Sequence, residues 1–359
     1  MTPPARPWPR GAATGIGSLP GSDPLEAART VFGELPDLPF LPELPARGPG
    51  ADIIGRTAAL LVDLPVELVP SGWRIASRPG KDLRRARDLM ARDLDAAEQA
   101  GDGHAGAFKF QAAGPWTLAA GLELPNGHRV ATDHGASRDL AESLAEGLRV
   151  HVADLARRLP HATLIGQLDE PSLPAVLAGT LRTASGWGTV RHVDIATVRD
   201  TLGRVLAALP DTTRIVHCCA PTPPIGLFLE AGATGVALDL DLVDTQTTDA
   251  LGSAVDDGVA LLLGIVATTP APPVAVAGGP SARSGLPRDP GDVAADGAPS
   301  FTAALRRVTD WWSKVGFPAD DLAGVVVPTP ACGLAAAPPT YARQVLTLLR
   351  EVGRATTEL

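Results

Sequence analysis

The chain of 359 residues carries a net charge of −9, has an isoelectric point near 5.3, and is 45% hydrophobic. This length allows one large barrel or two ordinary domains, and the hydrophobic content excludes disorder over most of the chain. The acidic charge argues against a nucleic-acid partner, and the sequence contains no recognisable membrane helix or signal peptide. Three cysteines cannot build a disulfide framework, so we expect a protein of the reducing cytoplasm.

The predicted elements alternate between strands and helices. Residues 1–13 are polar and proline-rich, which predicts a loose N-terminal arm. Apolar, β-branched runs predict eight strands, at 14–19, 66–70, 107–114, 163–169, 213–219, 235–241, 259–266 and 324–330. Amphipathic periodicity predicts helices at 81–101, 137–160, 194–210, 301–316 and 339–353. This order predicts an α/β protein, a single-domain (β/α)8 TIM barrel over 14–359, with a doubly wound open sheet as the alternative.

Residues 270–300 interrupt this alternation. They are rich in proline, alanine and glycine, show no period and contain few large apolar side chains. This composition predicts a surface loop between the seventh strand and its helix. Closure over a site and docking of a partner are both open roles for such a loop.

The three cysteines follow two of the apolar runs. His217, Cys218 and Cys219 are consecutive at the end of the fifth predicted strand, and Cys332 follows the eighth. Alternation along a strand places His217 and Cys219 on one face and turns Cys218 toward the core. Strand ends meet at one face of a barrel, so Cys332 is expected beside that pair. One imidazole and two thiolates, with one further group, form the ligand set of an open zinc site.

Other polar residues also stand where predicted strands end. Asp169, Glu170 and Pro171 end the fourth strand, where a helix N-cap is the simpler interpretation. Asp239 and Asp241 share one face of the sixth strand, where two carboxylates at a barrel rim need a metal, a partner or water. The first and third strands end in "GIGSLP" and "AAGPWT", which taken alone are ordinary turns.

Five of these segments together resemble the cobalamin-independent methionine synthases. The His-x-Cys of "IVHCC" and the Cys-Gly of "PTPACGL" are the most specific, and "IGQLDEPSL", "GIGSLP" and "AAGPWT" are similar to further motifs of that family. The matches are in the same order and cover roughly residues 14–350. The resemblance implies a homocysteine thiolate, bound to Zn²⁺, that accepts a methyl group to give methionine.

The resemblance also implies roles for individual residues. The implied zinc ligands are His217, Cys219, Asp239 and Cys332. Asp239 stands where the family has the longer Glu, and Asp241 is the alternative. The implied contacts to homocysteine are Asp169 and, as a second ammonium contact, Glu43, with Ile16 and Ser18 for the carboxylate.

The chain departs from the family at the methyl donor. The family's proton-shuttling histidine follows the seventh strand, but here "LLLGIVATT" (261–269) contains no histidine. The chain is also about half the length of full-length members, which carry a second barrel. These differences predict a donor other than polyglutamyl folate, such as a methylated corrinoid protein, with methyl-folate as the alternative. Trp116 is a weaker candidate, as a flat contact for the donor, and a core aromatic is the simpler interpretation.

Two further functions remain compatible with the sequence. One is a barrel methyltransferase that acts on a different thiol. The other is a barrel without catalysis that holds zinc for structure or senses thiols. Related porphyrin decarboxylases need no zinc triad and are disfavoured.

Overall fold

The structure, a computed structural model, describes residues 6–270 and 299–359. Nearly all of the predicted loop 270–300 therefore lies outside the described residues. In chain order the strands are Val66–Val69 (β1), Gly72–Ile75 (β2), Ala107–Ala113 (β3), Leu122–Glu123 (β4), Thr163–Asp169 (β5), Arg214–Cys218 (β6), Gly235–Asp239 (β7), Ala260–Val266 (β8) and Val326–Pro330 (β9).

The helices carry most of the remaining described residues. They are Pro24–Glu34 (α1), Ile53–Ala58 (α2), Lys81–Ala100 (α3), Pro115–Gly121 (α4), His134–Arg158 (α5), Leu173–Ala178 (α6), Ile195–Leu206 (α7), Ile225–Glu230 (α8), Thr245–Asp256 (α9), Phe301–Val315 (α10), Leu322–Val325 (α11) and Pro339–Ala355 (α12). The five predicted helices are confirmed to within a few residues at each end, and Asp194 caps α7 as its position predicts. Among the described residues no helix is both long and apolar enough to cross a membrane.

Six parallel strands form the central sheet, in the order β3-β5-β6-β7-β8-β9. Neighbouring residues of one strand belong to different hydrophobic clusters, so both faces of the sheet are buried. Val216 packs in the large cluster that includes the helices, whereas Ile215 packs with Ile165 and Leu262 in a smaller cluster on the opposite, inner face. Burial on both faces explains why these strands are almost continuously apolar.

Two extended segments link the edges of this sheet. The Thr14 amide donates to the Pro328 carbonyl of β9, Ser18 forms a parallel bridge with Glu43, and Phe40 forms one with Lys109 of β3. The hydrogen bonds therefore run from β9 through residues 14–18 and 39–43 back to β3, and the sheet is curled. A side chain at Gly17 would place its Cβ within 2.9 Å of Gln111, so this close approach requires glycine.

The prediction of a barrel strand at 66–70 is wrong. β1 pairs antiparallel with β2, which pairs with β4 in a separate three-stranded sheet. In β1 only Val66 is buried and Leu68 is 38% exposed, as in an edge hairpin rather than a central parallel strand. The extended segment at 39–43 escaped prediction because it contains Pro39 and Pro42, which cannot donate to a ladder.

In the described part of the predicted loose N-terminal arm, residues 8 and 11–13 are buried. Trp8 is 7% exposed and joins the inner cluster together with Ala12. The Gly11 amide donates to the Ala323 carbonyl. Indole burial of this kind contributes a large apolar area and holds the segment in place.

His151 makes stability depend on pH. It is 4% exposed, lies edge-on to Phe110, and its pKa is lowered to about 4 by burial and by the nearby Arg56. The unfolded chain binds a proton at this residue below pH 6.5, whereas the folded chain does not until about pH 4. Stability is therefore lost as pH falls across that window, by up to about 3 kcal/mol for this group.

We expect His151→Met to reduce the loss of folding stability at acid pH. Urea unfolding at pH 7, 5.5 and 4.5 measures it, with the exposed His128→Met as the matched control. The free energy of unfolding should fall less with acid in His151→Met than in the wild type, and equally in the wild type and the control. Parallel pH dependence in all three proteins would contradict the assignment.

Candidate metal and amino-acid site

One cavity of about 330 Å³ opens at the carboxyl ends of the parallel strands. Its walls come from several elements because parallel strands bring their carboxyl ends to the same edge of a sheet. The structure places seven of the predicted site residues around it: Ile16, Ser18, Glu43, Asp169, His217, Cys219 and Cys332. Asp239, Asp241 and Trp116 are not among the residues that line it.

His217, Cys219 and Cys332 form a compact group at the cavity wall. Their ligand atoms all lie within 4.8 Å of one another. Cys332 Sγ is 3.0 Å from Cys219 Sγ and 3.8 Å from His217 Nε2, and the three cysteines are free. Cys218 points to the other face and is 1% exposed in the helix-side core, as strand alternation predicts.

Hydrogen bonds prepare this group to bind a soft cation. His217 Nδ1 lies 3.1 Å from the Ala237 carbonyl, which accepts its proton and leaves Nε2 free toward the sulfurs. The hydrogen bond that Cys332 shares with Cys219, together with His217, lowers the pKa of Cys332 against its burial. For Cys219, the same hydrogen bond and burial raise the pKa. One of the two thiols is therefore already acidic.

The donor set fits zinc. Tetrahedral zinc, with Zn–S near 2.3 Å and Zn–N near 2.0–2.1 Å, separates its ligand atoms by about 3.6–3.8 Å. Cys332 Sγ lies 3.8 Å from His217 Nε2, within about 0.3 Å of the S···N separation in such a site, and the two sulfurs would move apart by less than about 1 Å. Mixed imidazole and thiolate ligands are typical of zinc.

The structure does not bring Asp239 into this group. Asp239 Oδ1 accepts from the Asp241 amide and caps the short 3-10 turn at 240–242. Asp241, predicted to share a strand face with Asp239, instead lies in that turn and forms an ion pair with Arg307. Strand β7 ends at Asp239, so residue 241 no longer follows strand alternation. A role for either carboxylate at a metal stays a prediction.

Two buried carboxylates face the same cavity. Asp169 is 5% exposed and Glu43 is 7% exposed. Burial raises the pKa of Asp169, and the neighbouring His217 imidazole opposes that shift. Burial also raises the pKa of Glu43, which is opposed by Arg56, whose Nε lies 3.6 Å from Glu43 Oε1. A cationic group entering the cavity would relieve the cost of burying both carboxylates.

Trp116 is a core residue and not a surface for a donor. It is 1% exposed, and its indole nitrogen donates to the Val198 carbonyl at 3.1 Å. The segment around Trp116 instead donates hydrogen bonds to the Glu170 carboxylate. This carboxylate accepts from the Trp116 amide at 2.9 Å and from the amide and hydroxyl of Thr117 at 2.7 and 2.8 Å. Glu170 thus caps helix α4, which follows the neighbouring strand β3, and does not cap α6, the helix that follows its own turn.

We expect Glu170→Ala to destabilise the protein by about 2–4 kcal/mol, because three buried donors at Trp116 and Thr117 would lose their acceptor. A Cβ at Gly114 would lie 2.3 Å from Glu170 Oε1, so the carboxylate fills this space completely. Chemical unfolding measures the loss. Glu146→Ala, at an exposed position of α5, is the control, and an equal effect of both substitutions would refute the cap.

Three buried polar residues beneath the cavity escaped the sequence analysis: Lys109, Gln111 and Gln167. A signal was present in strand β3, where Lys109 and Gln111 alternate with Phe108 and Phe110. Polar residues of period two inside a strand buried on both faces indicate an inward polar layer.

Comparison with known proteins finds similarity at the level of structure. No protein-family profile matches the chain, and no curated sequence matches it. Seventy-three chains of solved structures match. One is a B12-independent methionine synthase from Shewanella sp. W3-18-1, solved in complex with selenomethionine. It is 12% identical, with a TM-score of 0.58 over 98% of this chain and 98% of that chain. At that identity the likeness shows the fold alone.

Proposed function

We propose that this protein is a zinc-dependent methyltransferase that transfers a methyl group to the thiol of homocysteine and forms methionine. The observation that carries the proposal is that His217, Cys219 and Cys332 converge at a cavity lined by Glu43 and Asp169. Three soft ligands beside an open cavity suit a substrate thiol, and two carboxylates suit its ammonium group. The selenomethionine held by the methionine synthase neighbour is consistent with an amino-acid ligand of this kind.

Zinc on these three ligands would lower the pKa of an incoming thiol and favour its nucleophilic thiolate form. In the proposed reaction the thiol loses its proton to solvent, a sulfur lone pair forms the new C–S bond, and the donor keeps the electron pair of its broken bond to the methyl group. The chain's other residues orient the substrate: Asp169 and Glu43 accept hydrogen bonds from its ammonium group, and the segment Ile16–Ser18 holds its carboxylate. Asp239, with Asp241 as the alternative, stays the proposed further ligand.

We also propose that residues 14–18 and 39–43 complete an eight-stranded barrel within a single domain over 14–359. Their few parallel hydrogen bonds bridge the two edges of the six-stranded sheet. A closed barrel would hold the cavity residues of these segments at a constant distance from those of β5 and β6.

The proposed methyl donor is a methylated corrinoid, free or bound to a protein, rather than polyglutamyl folate. Strand β8 ends at Val266, and Ala267 and Thr268 follow where a proton-donating histidine would stand. Within residues 6–270 and 299–359, His217 is the one histidine lining the cavity. A folate nitrogen needs a proton as it leaves, whereas corrinoid cobalt departs with its electron pair alone.

The donor is tested by measuring methionine formation from homocysteine with methylcobalamin and with methyltetrahydrofolate in parallel. We expect product from methylcobalamin and background from the folate. Turnover of methyltetrahydrofolate without turnover of methylcobalamin would reject the corrinoid donor and leave the thiol site unaffected.

The function itself is tested by zinc content and X-ray absorption, with and without L-homocysteine. We expect one zinc per chain and one added sulfur ligand with homocysteine, but none with L-homoserine, which replaces the thiol by a hydroxyl. A protein without zinc, or a metal whose ligands ignore homocysteine, would overturn the proposal. A closed set of four protein ligands would favour a structural zinc, and equal binding of unrelated thiols would favour a methyltransferase for another thiol.

A further inference from the structure

A buried lysine lies beneath the cavity. Lys109 is one of three lysines in the chain and is fully buried inside the curled sheet. Its ammonium group donates to the Ile16 carbonyl at 2.9 Å, to Gln167 Oε1 at 2.9 Å and to Gln111 Oε1 at 3.4 Å. These acceptors match the three donors of an ammonium group, so Lys109 is occupied by the protein itself.

The two glutamines connect Lys109 to the two carboxylates of the cavity. Because an ammonium group only donates, both amide oxygens face Lys109 and both amide nitrogens face away from it. Gln111 Nε2 donates to Glu43 Oε1 at 3.1 Å, and Gln167 Nε2 donates to Asp169 Oδ1 at 2.7 Å. Each carboxylate is therefore held by an N–H donor and keeps further lone pairs for a ligand.

The same residues hold the backbone at the cavity wall. The Ile16 carbonyl accepts from both Lys109 and Gln167 Nε2, the latter at 3.0 Å. Gln111 Nε2 also donates to the Leu41 carbonyl at 2.7 Å. Lys109, Gln111 and Gln167 thus tie the two edge segments to strands β3 and β5 directly below the cavity.

We propose that Lys109 is a positioning residue that makes this site specific for thiols carrying an α-amino group, an inference that rests on the proposed function. Lys109 fixes the orientation of both amides, and the amides aim Glu43 and Asp169 as acceptors toward the ligand's ammonium group. A compact ammonium group with three tetrahedral donors suits these acceptors, whereas the planar fork of arginine does not. Without this cation both amide oxygens lose their donor, and the side chains of Gln111 and Gln167 are free to leave the positions from which they hold the carboxylates.

The test compares two thiols on the zinc-loaded full-length protein by calorimetry. L-homocysteine and 4-sulfanylbutanoate share the thiol and the carboxylate and differ in the amino group. We expect the wild type to prefer homocysteine by about 100-fold, and Lys109→Met to reduce that ratio at least about tenfold. The exposed Lys314→Met is the control and should keep the wild-type ratio. A general loss of structure would weaken both ligands and leave the ratio unchanged.

Gln111→Met and Gln167→Met provide a second test, needed if Lys109→Met does not fold. Each substitution removes the hydrogen bond to one carboxylate. Each should therefore lower the preference for homocysteine by less than Lys109→Met does. A wild-type ratio near one, or an unchanged ratio in all folded variants, overturns this inference while thiol binding by the zinc site stands. If the zinc-loaded wild type binds neither thiol, the proposed function fails and the inference fails with it.

Discussion

Cys332→Ala is expected to remove zinc from the protein, and Cys219→Ala should do the same. Each substitution deletes one of three ligand atoms that lie within 4.8 Å of one another. The loss of zinc affinity should exceed the about 10–100-fold that follows loss of an outer-shell partner of a metal ligand. Zinc per chain after dialysis, and competition with a chromophoric chelator, measure this effect.

Cys218→Ala is the matched control for this experiment. Cys218 is adjacent to Cys219 in the chain, but its side chain lies in the core between the sheet and the helices. The variant should keep one zinc per chain and lose some thermal stability, since it leaves a small cavity. Zinc retained by Cys332→Ala, or lost by Cys218→Ala, would reject the assigned ligands.

Asp169→Asn is expected to weaken L-homocysteine binding by about 100-fold or more, with zinc content unchanged. The amide oxygen can still accept from Gln167, so the amide nitrogen would face the ligand's ammonium group and repel it. Loss of one partner of a buried charge pair typically costs 2–5 kcal/mol in binding. Calorimetry on the zinc-loaded protein measures the dissociation constant.

The control ligand is 4-sulfanylbutanoate, which lacks the amino group of homocysteine. Asp169→Asn should bind 4-sulfanylbutanoate as the wild type does, because this ligand has no ammonium group to lose. Equal weakening of both thiols would mean that the substitution damages the cavity as a whole. Unchanged homocysteine affinity would show that Asp169 does not contact the amino group.

Local patterns in the sequence predicted much of this fold and part of its site. Apolar, β-branched runs predicted all six strands of the parallel sheet, and helical periodicity predicted α3, α5, α7, α10 and α12. The rule that strand ends share one edge predicted that Cys332 meets His217 and Cys219, and alternation excluded Cys218 from that group. Family resemblance supplied positions for Ile16, Ser18, Glu43 and Asp169, which now line the same cavity while their roles remain predictions.

Other features depend on contacts between distant parts of the chain. Residues 66–70 have a strand pattern, but their partner is the hairpin strand β2 and not the parallel sheet. Glu170 reads as the cap of its own helix, yet it accepts hydrogen bonds from Trp116 and Thr117, more than 50 positions away. Asp239 and Asp241 share a strand period that ends where the 240–242 turn begins.

The sequence by itself determined the type and order of most elements, because side-chain periodicity is a local property of helices and strands. It also determined which thiols share a face, since alternation needs only a strand. The tertiary structure decided which groups neighbour each buried polar side chain. The bonds from Lys109 through Gln111 and Gln167 to Glu43 and Asp169 join residues up to 68 positions apart. A buried charge requires partners, and only the folded arrangement of the strands determines which residues can supply them.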